Sequence, residues 1–412
     1  MVERISLTTS QTSGTKISTN GASHDREKLD ALRGQLPAVT CTRYFNAGSN
    51  GPIPRPAHEA LISQATADLT MGRCDLAFYG KRQGESAHLR GTIAGLFNAN
   101  VSEVAIMRST TEGMNAALNG VLWRPGDEII TTHLEHICLF AAIGSVSHRF
   151  GVTVRTVNIG DGGGDVLSAI AAAVTPRTRV IAISHVQWTT GAVMPLAEIA
   201  QFARERGILT IIDGAQGAGQ VAVDFHALGV DAYCQAGQKW LCGPNSSGFM
   251  LLRDDRLGDF RTSYLRYGTF DPAGYVVPPP GAARFEMGET YGPAIAAFDR
   301  GLEWLRDDVG FDWLVARNAA LGKRCIGALK TVEGITIGTP EGNMAGMVCF
   351  NIPGMHPKDV SDRLAERGQT IRFVDQRPSD ATARISTAWW TTEVEVDELV
   401  AEIADLAKTV QS

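Results

Sequence analysis

Lys239 stands in "AGQKWLCGP" (236–244), directly after the apolar run "VDAYCQAG" (230–237). A lysine rarely settles inside a protein without a partner or a task. Either its ammonium reaches solvent, or its amine performs covalent chemistry. Asp213 closes a second β-rich run, "ILTIIDGAQ" (208–216). An acid there can cap the following loop through backbone amides. It can equally hold a cationic nitrogen of a bound ring. His136 and the pair Gln187–Trp188 follow other apolar runs. In open α/β sheets, ligands bind beyond the carboxyl ends of the strands. Each residue alone is a weak sign; several polar side chains converging on one rim are a stronger one.

The elements that must position these residues read as alternating helix and strand between about 100 and 255. That pattern argues for α/β with a mainly parallel sheet. "DEIITT" (127–132), "TVRTVNI" (153–159), "TRVIAISHV" (178–186) and "SSGFMLL" (246–252) are further strands. "TEGMNAALNGVLW" (111–123) has helical spacing and opens on Thr and Glu, good helix starters. "MPLAEIAQFARERG" (194–207) is amphipathic and stopped by Gly207. A Gly- and Pro-rich stretch at 267–290 marks a boundary. Beyond it come a long helical stretch (291–330), strands at 347–352, 370–374 and 383–390, and helices at 356–368 and 392–408.

The expected organisation is a mobile tail (1–30), an N-terminal segment packing with the small domain (31–62), a large domain (63–290) and a small α+β domain (291–412). A chain of 412 residues is too long for one ordinary core. Apolar content of 44% and charged content of 20% fit a soluble globular protein. A net charge of −6 leaves no footprint for nucleic acid. No apolar run reaches the length of a membrane span. The first 25 residues are rich in Ser, Thr and Gly without the apolar centre of a secretory signal, so a cytoplasmic location is expected. The seven cysteines lack metal-type spacing, and no metal site is expected.

A lysine able to form a Schiff base, with an acid for a pyridinium nitrogen, is the binding signature of pyridoxal 5'-phosphate, PLP. The ordered set "STTEGMN", "LEHICL", "SHVQWTTG", "IIDGAQ", "AGQKWLCGP", "RFEMGE" resembles the fold-type I PLP enzymes of the class V aminotransferase and cysteine desulfurase group. The likeness starts at "YFNAGSNGPIPRP" (44–56) and covers nearly all of the chain after it. "KWLCGP" and "HVQWTTGAVMPL" are most similar to the cysteine/cystine C–S lyases and isopenicillin-epimerase-like proteins.

The resemblance implies a fold-type I architecture: a mainly parallel central sheet flanked by helices, with a smaller C-terminal α+β domain. It implies that Lys239 carries the cofactor and shuttles the α-proton, and that Asp213 keeps the pyridine nitrogen protonated. Gln216 would bond the phenolic oxygen, and His136 would stack on the ring. Read without the family, His136 is a histidine packed at a strand end. Thr110 and Thr111 open a helix, where backbone donors and hydroxyls suit a phosphate; ordinary capping is compatible with this. Relatives place a Ser or Thr, one residue, then His before the lysine. Here Ala236, Gly237 and Gln238 stand there, and Gln238 can donate to phosphate without charge. In relatives a residue after "RFE" crosses a dimer to the partner's phosphate. Thr290 is the candidate, beside a Glu289 that would repel an anion. Arg372 and Arg384 match the carboxylate-binding arginines of the C–S lyases, and bidentate arginine suits an amino-acid carboxylate. The bland reading for either is a surface ion pair. A homodimer is implied by the resemblance alone.

Desulfurases of this group need a nucleophilic cysteine in the loop between the two arginine strands. Here "VDQRPSDATA" (374–383) has none, and Trp188 takes the place of the desulfurase Asn. β-Elimination from a cysteine S-conjugate, releasing thiol, pyruvate and ammonia, is therefore the leading expectation. Similar enzymes act in antibiotic pathways such as those to lincosamides. The nearest alternative is decarboxylation-coupled oxidative deamination to an aldehyde, which small changes near Arg384, Trp188 or Tyr79 could select. An aminotransferase or an epimerase is a third. Two readings of other classes remain: a nicotinamide oxidoreductase, whose G-x-G-x-x-G spacing is missing from "DGAQGAG", and a catalytically silent binding module.

Overall fold

The computed structural model describes residues 19–411 except 75, 267–268, 270–272, 274–276, 289 and 376–380. Its centre is a seven-stranded sheet. The strands are β1 (Val104–Met107), β2 (Glu128–Thr132), β3 (Thr153–Val157), β4 (Thr178–Ser184), β5 (Leu209–Asp213), β6 (Ala232–Ala236) and β7 (Gly248–Leu252). They lie in the order β1-β7-β6-β5-β4-β2-β3. Pairing is parallel from β3 across to β6, and β7 is antiparallel to both neighbours.

Strand periodicity explains how this sheet is held. Successive side chains point to opposite faces. Ile130, Ile181, Ile183 and Ile212 join one core cluster, while Ile129, Val180, Ala182, Leu209 and Ile211 join another on the other face. Each fully buried aliphatic side chain contributes about 1.5–3 kcal/mol. Burial on both faces is why β4 and β5 read as mostly apolar runs rather than alternating ones. The parallel strands therefore end on one rim, which carries His136, Ser184, Asp213 and Lys239.

A four-stranded antiparallel sheet follows, in the order Arg372–Val374, Thr382–Ser386, Met347–Asn351, Thr336–Ile337. Helices Phe311–Leu329, Pro357–Glu366 and Glu393–Gln411 bring Leu321, Cys325, Val360, Leu364, Leu399 and Ile403 into a third core with it. The N-terminal segment is tied to this sheet region. Arg43–Tyr44 pairs in parallel with Gln369–Thr370, the Ser386 amide donates to Phe45 O at 2.8 Å, and Arg33 grips Glu395 with both terminal nitrogens.

Several elements differ from the sequence expectation. A tail through residue 30 is too long: Thr19–Arg33 is helical and Leu29 and Leu32 are buried; residues 1–18 lie outside the described residues. The stretch 291–330 is two helices, Gly292–Trp304 and Phe311–Leu329, parted by a π-turn at Leu305–Val309 and by Gly310 at φ +82°. Gly292–Trp304 packs on Arg55–Met71 and Leu76–Leu96, and its Ile295, Phe298 and Leu302 belong to the large sheet's core. The run 383–390 is a strand only to Ser386. Beyond it Trp389 and Trp390 turn inward and pack edge to face at 5.3 Å. No helix among the described residues is long and apolar enough to cross a membrane.

Candidate active site

Past β6 the chain makes a tight turn that presents Lys239. Gly237 is required there, since a Cβ would sit 2.2 Å from Ser247 Oγ. Gly51 packs on the turn so closely that its Cβ would lie 2.2 Å from Lys239 O, and its amide donates to Gln238 O at 2.8 Å. The Lys239 amine opens into a cavity of about 300 Å³. Burial lowers its pKa to about 8, the Asp213 charge acting against this and Arg384 with it. An amine so placed is available as a neutral base or nucleophile near neutral pH.

Asp213, at the end of β5, is 5% exposed and lines the same cavity. Its Oδ1 accepts from the Ala215 amide at 2.9 Å. Burial pushes its carboxyl up. A buried acid whose hydrogen-bond partner among the described residues is a loop amide suits a cationic ligand group. Gln216 is locked in orientation: Trp240 Nε1 donates to its Oε1 at 2.8 Å, and its Nε2 donates to Gly48 O at 2.8 Å. The second Nε2 proton is left for a ligand.

His136 is the N-cap of the 14-residue helix Ile137–Phe150, its Nδ1 accepting from the Cys138 amide at 3.1 Å. That bond places the ring proton on Nε2. Burial, with Lys239 and Arg384 nearby, drops its pKa to about 3, so the imidazole is neutral. Trp188 meets it edge to face, 4.5 Å between centroids, and leaves its buried Nε1 without an acceptor among the described residues. Thr110 and Thr111 open the 11-residue helix Thr110–Gly120, capped by Ser109 Oγ, which accepts from the Glu112 amide at 3.1 Å. The buried Thr110 Oγ1 and Gln238 Oε1 also lack partners among the described residues.

Arg384 carries the clearest signal. It is 3% exposed, and among the described residues it has no carboxylate partner. Nη1 donates to Trp188 O and Nη2 to Ser49 Oγ, each at 3.3 Å, while Nε has no acceptor. Burial lowers its pKa to about 10. Arg372, exposed, lies directly opposite it in the strand register, and both line the cavity. Like charges facing across a strand pair repel. An anion between them removes that cost.

The structure thus brings Lys239, Asp213, His136, Gln216, Thr110, Thr111, Gln238, Trp188, Arg372 and Arg384 to one cavity. Thr290 is not among its walls. It lines a separate cavity of about 460 Å³ with Tyr79, Arg82 and Tyr291, and Glu289 lies outside the described residues. Wall residues that sequence reasoning passes over are Gly48, Ser49, Ser109, Cys138 and Ser184. The Gly- and Ser-rich "GSNG" (48–51) was the available sign for the first two. A Cβ on Gly48 would come within 3.1 Å of Arg384 Nη2.

A mainly parallel sheet with polar side chains converging on the rim at its strand ends defines an α/β protein with a ligand site there. The model of the family described as Aminotransferase class-V matches residues 78–399, and the chain belongs to that family. It is similar to a probable cysteine desulfurase of Methanothermobacter thermautotrophicus, at 25% identity over 92% of this chain and 98% of the other. It is similar to isopenicillin N epimerase of Streptomyces clavuligerus, at 28% over 90% and 96%. Among solved structures it superposes on the cystine C–S lyase C-DES in complex with its product cysteine persulfide, with TM-score 0.85 and 27% identity, over 90% of this chain and 99% of that one. A C-DES variant with glycine covalently linked to its PLP cofactor gives TM-score 0.86, at the same identity and coverage. The chain is a PLP-dependent enzyme of the cysteine desulfurase and C–S lyase type.

The cavity fits that cofactor. The unpaired Thr110 hydroxyl and helix amides suit its phosphate, the lone Asp213 its ring nitrogen, and Lys239 its aldehyde carbon.

Proposed function

We propose that this enzyme catalyses β-elimination from a cysteine S-conjugate, releasing a thiol, pyruvate and ammonia. Bound PLP supplies the electron sink for charge at the substrate's α-carbon. Lys239 Nζ, held near a pKa of about 8, takes the α-proton. Asp213 would hold the cofactor's ring nitrogen in its protonated form, and the neutral imidazole of His136 would pack against the ring. Arg384 binds the α-carboxylate with its fork, aided by Arg372, and so orients the bond to be broken. Ser109, Thr110, Thr111 and Gln238 would hold the phosphate. Thr290 stands away from this cavity, so its contact with a phosphate would require a partner copy in a homodimer.

The observation that carries the reading is the joint presence of Lys239, Asp213 and the carboxylate-free Arg384 on one cavity, with no cysteine in 374–383. A second reading is sulfur transfer to a protein thiol, favoured by Cys138 in the cavity wall and by the desulfurase relatives. The test is to incubate the PLP-loaded enzyme with L-cysteine and with several cysteine conjugates and identify products by mass. Thiol with pyruvate from a conjugate supports elimination, and alanine from L-cysteine with a persulfide on Cys138 supports the second reading. An aldehyde with oxygen uptake, or racemised substrate alone, refutes both.

A further inference from the structure

Directly before His136 lies Glu135, an acid with no solvent exposure and no part in the cavity wall. It closes the turn after β2, where Thr132 Oγ1 donates to its Oε1 at 2.6 Å. Its Oε2 accepts twice from the end of β4: from the Ser184 amide at 2.8 Å and from the Ser184 hydroxyl at 2.5 Å. Gln187 Nε2 adds a bond to Oε1 at 3.2 Å. Among the described residues no cation neutralises it; burial and the Asp213 charge push its pKa up to about 7, and only these donors hold it down.

A carboxylate is expensive to bury on these terms. Removing its oxygens would leave the buried Ser184 and Gln187 donors without an acceptor, so the charge serves this network. Its partners suggest what the network is for. Ser184 is the register partner of Asp213. Gln187 precedes Trp188 and anchors its loop, donating from its amide to Ala192 O at 2.8 Å and accepting from Gly191 at 2.7 Å. Glu135 itself precedes His136. One carboxylate therefore joins the two segments whose next residues, His136 and Trp188, meet edge to face at the cavity.

We infer that Glu135 is a positioning residue, which fixes the His136–Trp188 pair against the cofactor ring without touching cofactor or substrate. The inference rests on reading this cavity as the cofactor site. Glu135→Gln keeps the size but puts an NH2 where one oxygen stood: in place of Oε2 it faces the Ser184 amide, another donor, and in place of Oε1 it faces the Gln187 side chain, which must turn over to accept. The partner variant is Gln187→Met, which removes one donor and leaves the cavity wall intact.

The experiment measures PLP affinity and the visible circular dichroism of the bound cofactor in wild type, both single variants and the double variant. Kinetics with L-cysteine are added. Glu135→Gln is expected to weaken PLP binding about tenfold, to reduce or invert the visible dichroic band, and to lower kcat with KM changed less than twofold. A double variant losing no more than Glu135→Gln alone marks one shared network. An unchanged dichroic band and PLP affinity in Glu135→Gln, with only the melting temperature lowered, would overturn the inference. So would strictly additive losses. If Glu135→Gln does not fold, the band of Gln187→Met decides alone: reduced supports, unchanged overturns. Failure of the cofactor reading is a separate result, since wild type itself would then show no band.

Discussion

Arg384→Met is the most revealing single substitution, because activity and stability should move in opposite directions. In the wild type the guanidinium is buried with no acid partner among the described residues. Its pKa falls from 12.5 to about 10, equivalent to about 3 kcal/mol against the charged form. Methionine removes that penalty and roughly keeps the apolar volume. It also loses the two long bonds to Trp188 O and Ser49 Oγ, worth about 1 kcal/mol together at such distances. The balance favours the variant by about 1–2 kcal/mol, on the same two principles. The substrate's carboxylate, however, loses two charge-assisted bonds of about 1.5–3 kcal/mol each. The value of kcat/KM should drop between about a hundredfold and ten-thousandfold. The assay is thermal unfolding with and without glycine, together with steady-state kinetics. Expected are a variant midpoint at or above that of wild type, no protection by glycine, and the stated loss of kcat/KM. A lower midpoint with kcat/KM within threefold of wild type would refute the reasoning, since Arg384 would then be a structural arginine.

Other expectations follow from the same geometry. The rate at which cofactor-free protein takes up PLP should rise through pH 8 and level off above it, as the Lys239 amine loses its proton; stopped-flow absorbance checks this, and a rise centred above pH 10 contradicts it. His136→Asn keeps an acceptor for the Cys138 amide but loses the ring, so it should melt close to wild type while binding PLP more weakly by titration. Glu128, buried under Arg155, Arg177 and Thr175, has its pKa lowered to about 2, first by the Arg155 bond. Its folded value lies below its unfolded one, so this stabilisation is present above about pH 4.5 and fades toward pH 2. Glu128→Gln should therefore melt lower at pH 7, with the gap closing as pH falls through that window.

Most of the rim was legible in the sequence because strands buried on both faces read as mostly apolar stretches, and polar residues at or just past their ends stand out. Lys239, Asp213, His136 and Trp188 were found in that way. Arg384 and Arg372 came from resemblance, and only the structure supplies the reason: they face each other in register, and the inner one is buried without an acid. Helices Arg55–Met71 and Leu76–Leu96 escaped because they show little hydrophobic periodicity, with Leu69, Met71 and Leu76 exposed. The helix Thr19–Arg33 escaped because its early residues are those of a loop, while its anchors, Leu29 and Leu32, come late. Glu135 could not be singled out from sequence. Its importance lies in Ser184 and Gln187 reaching it from 49 and 52 residues along the chain, which no local spacing records.

The central claim is tested most directly by loading the protein with PLP, reducing it with borohydride, digesting it and locating the modified residue by mass. The account predicts a phosphopyridoxyl group on Lys239, with the visible absorption band lost on reduction and missing altogether in Lys239→Ala. A label spread over surface lysines, or a band that survives in Lys239→Ala, would contradict it.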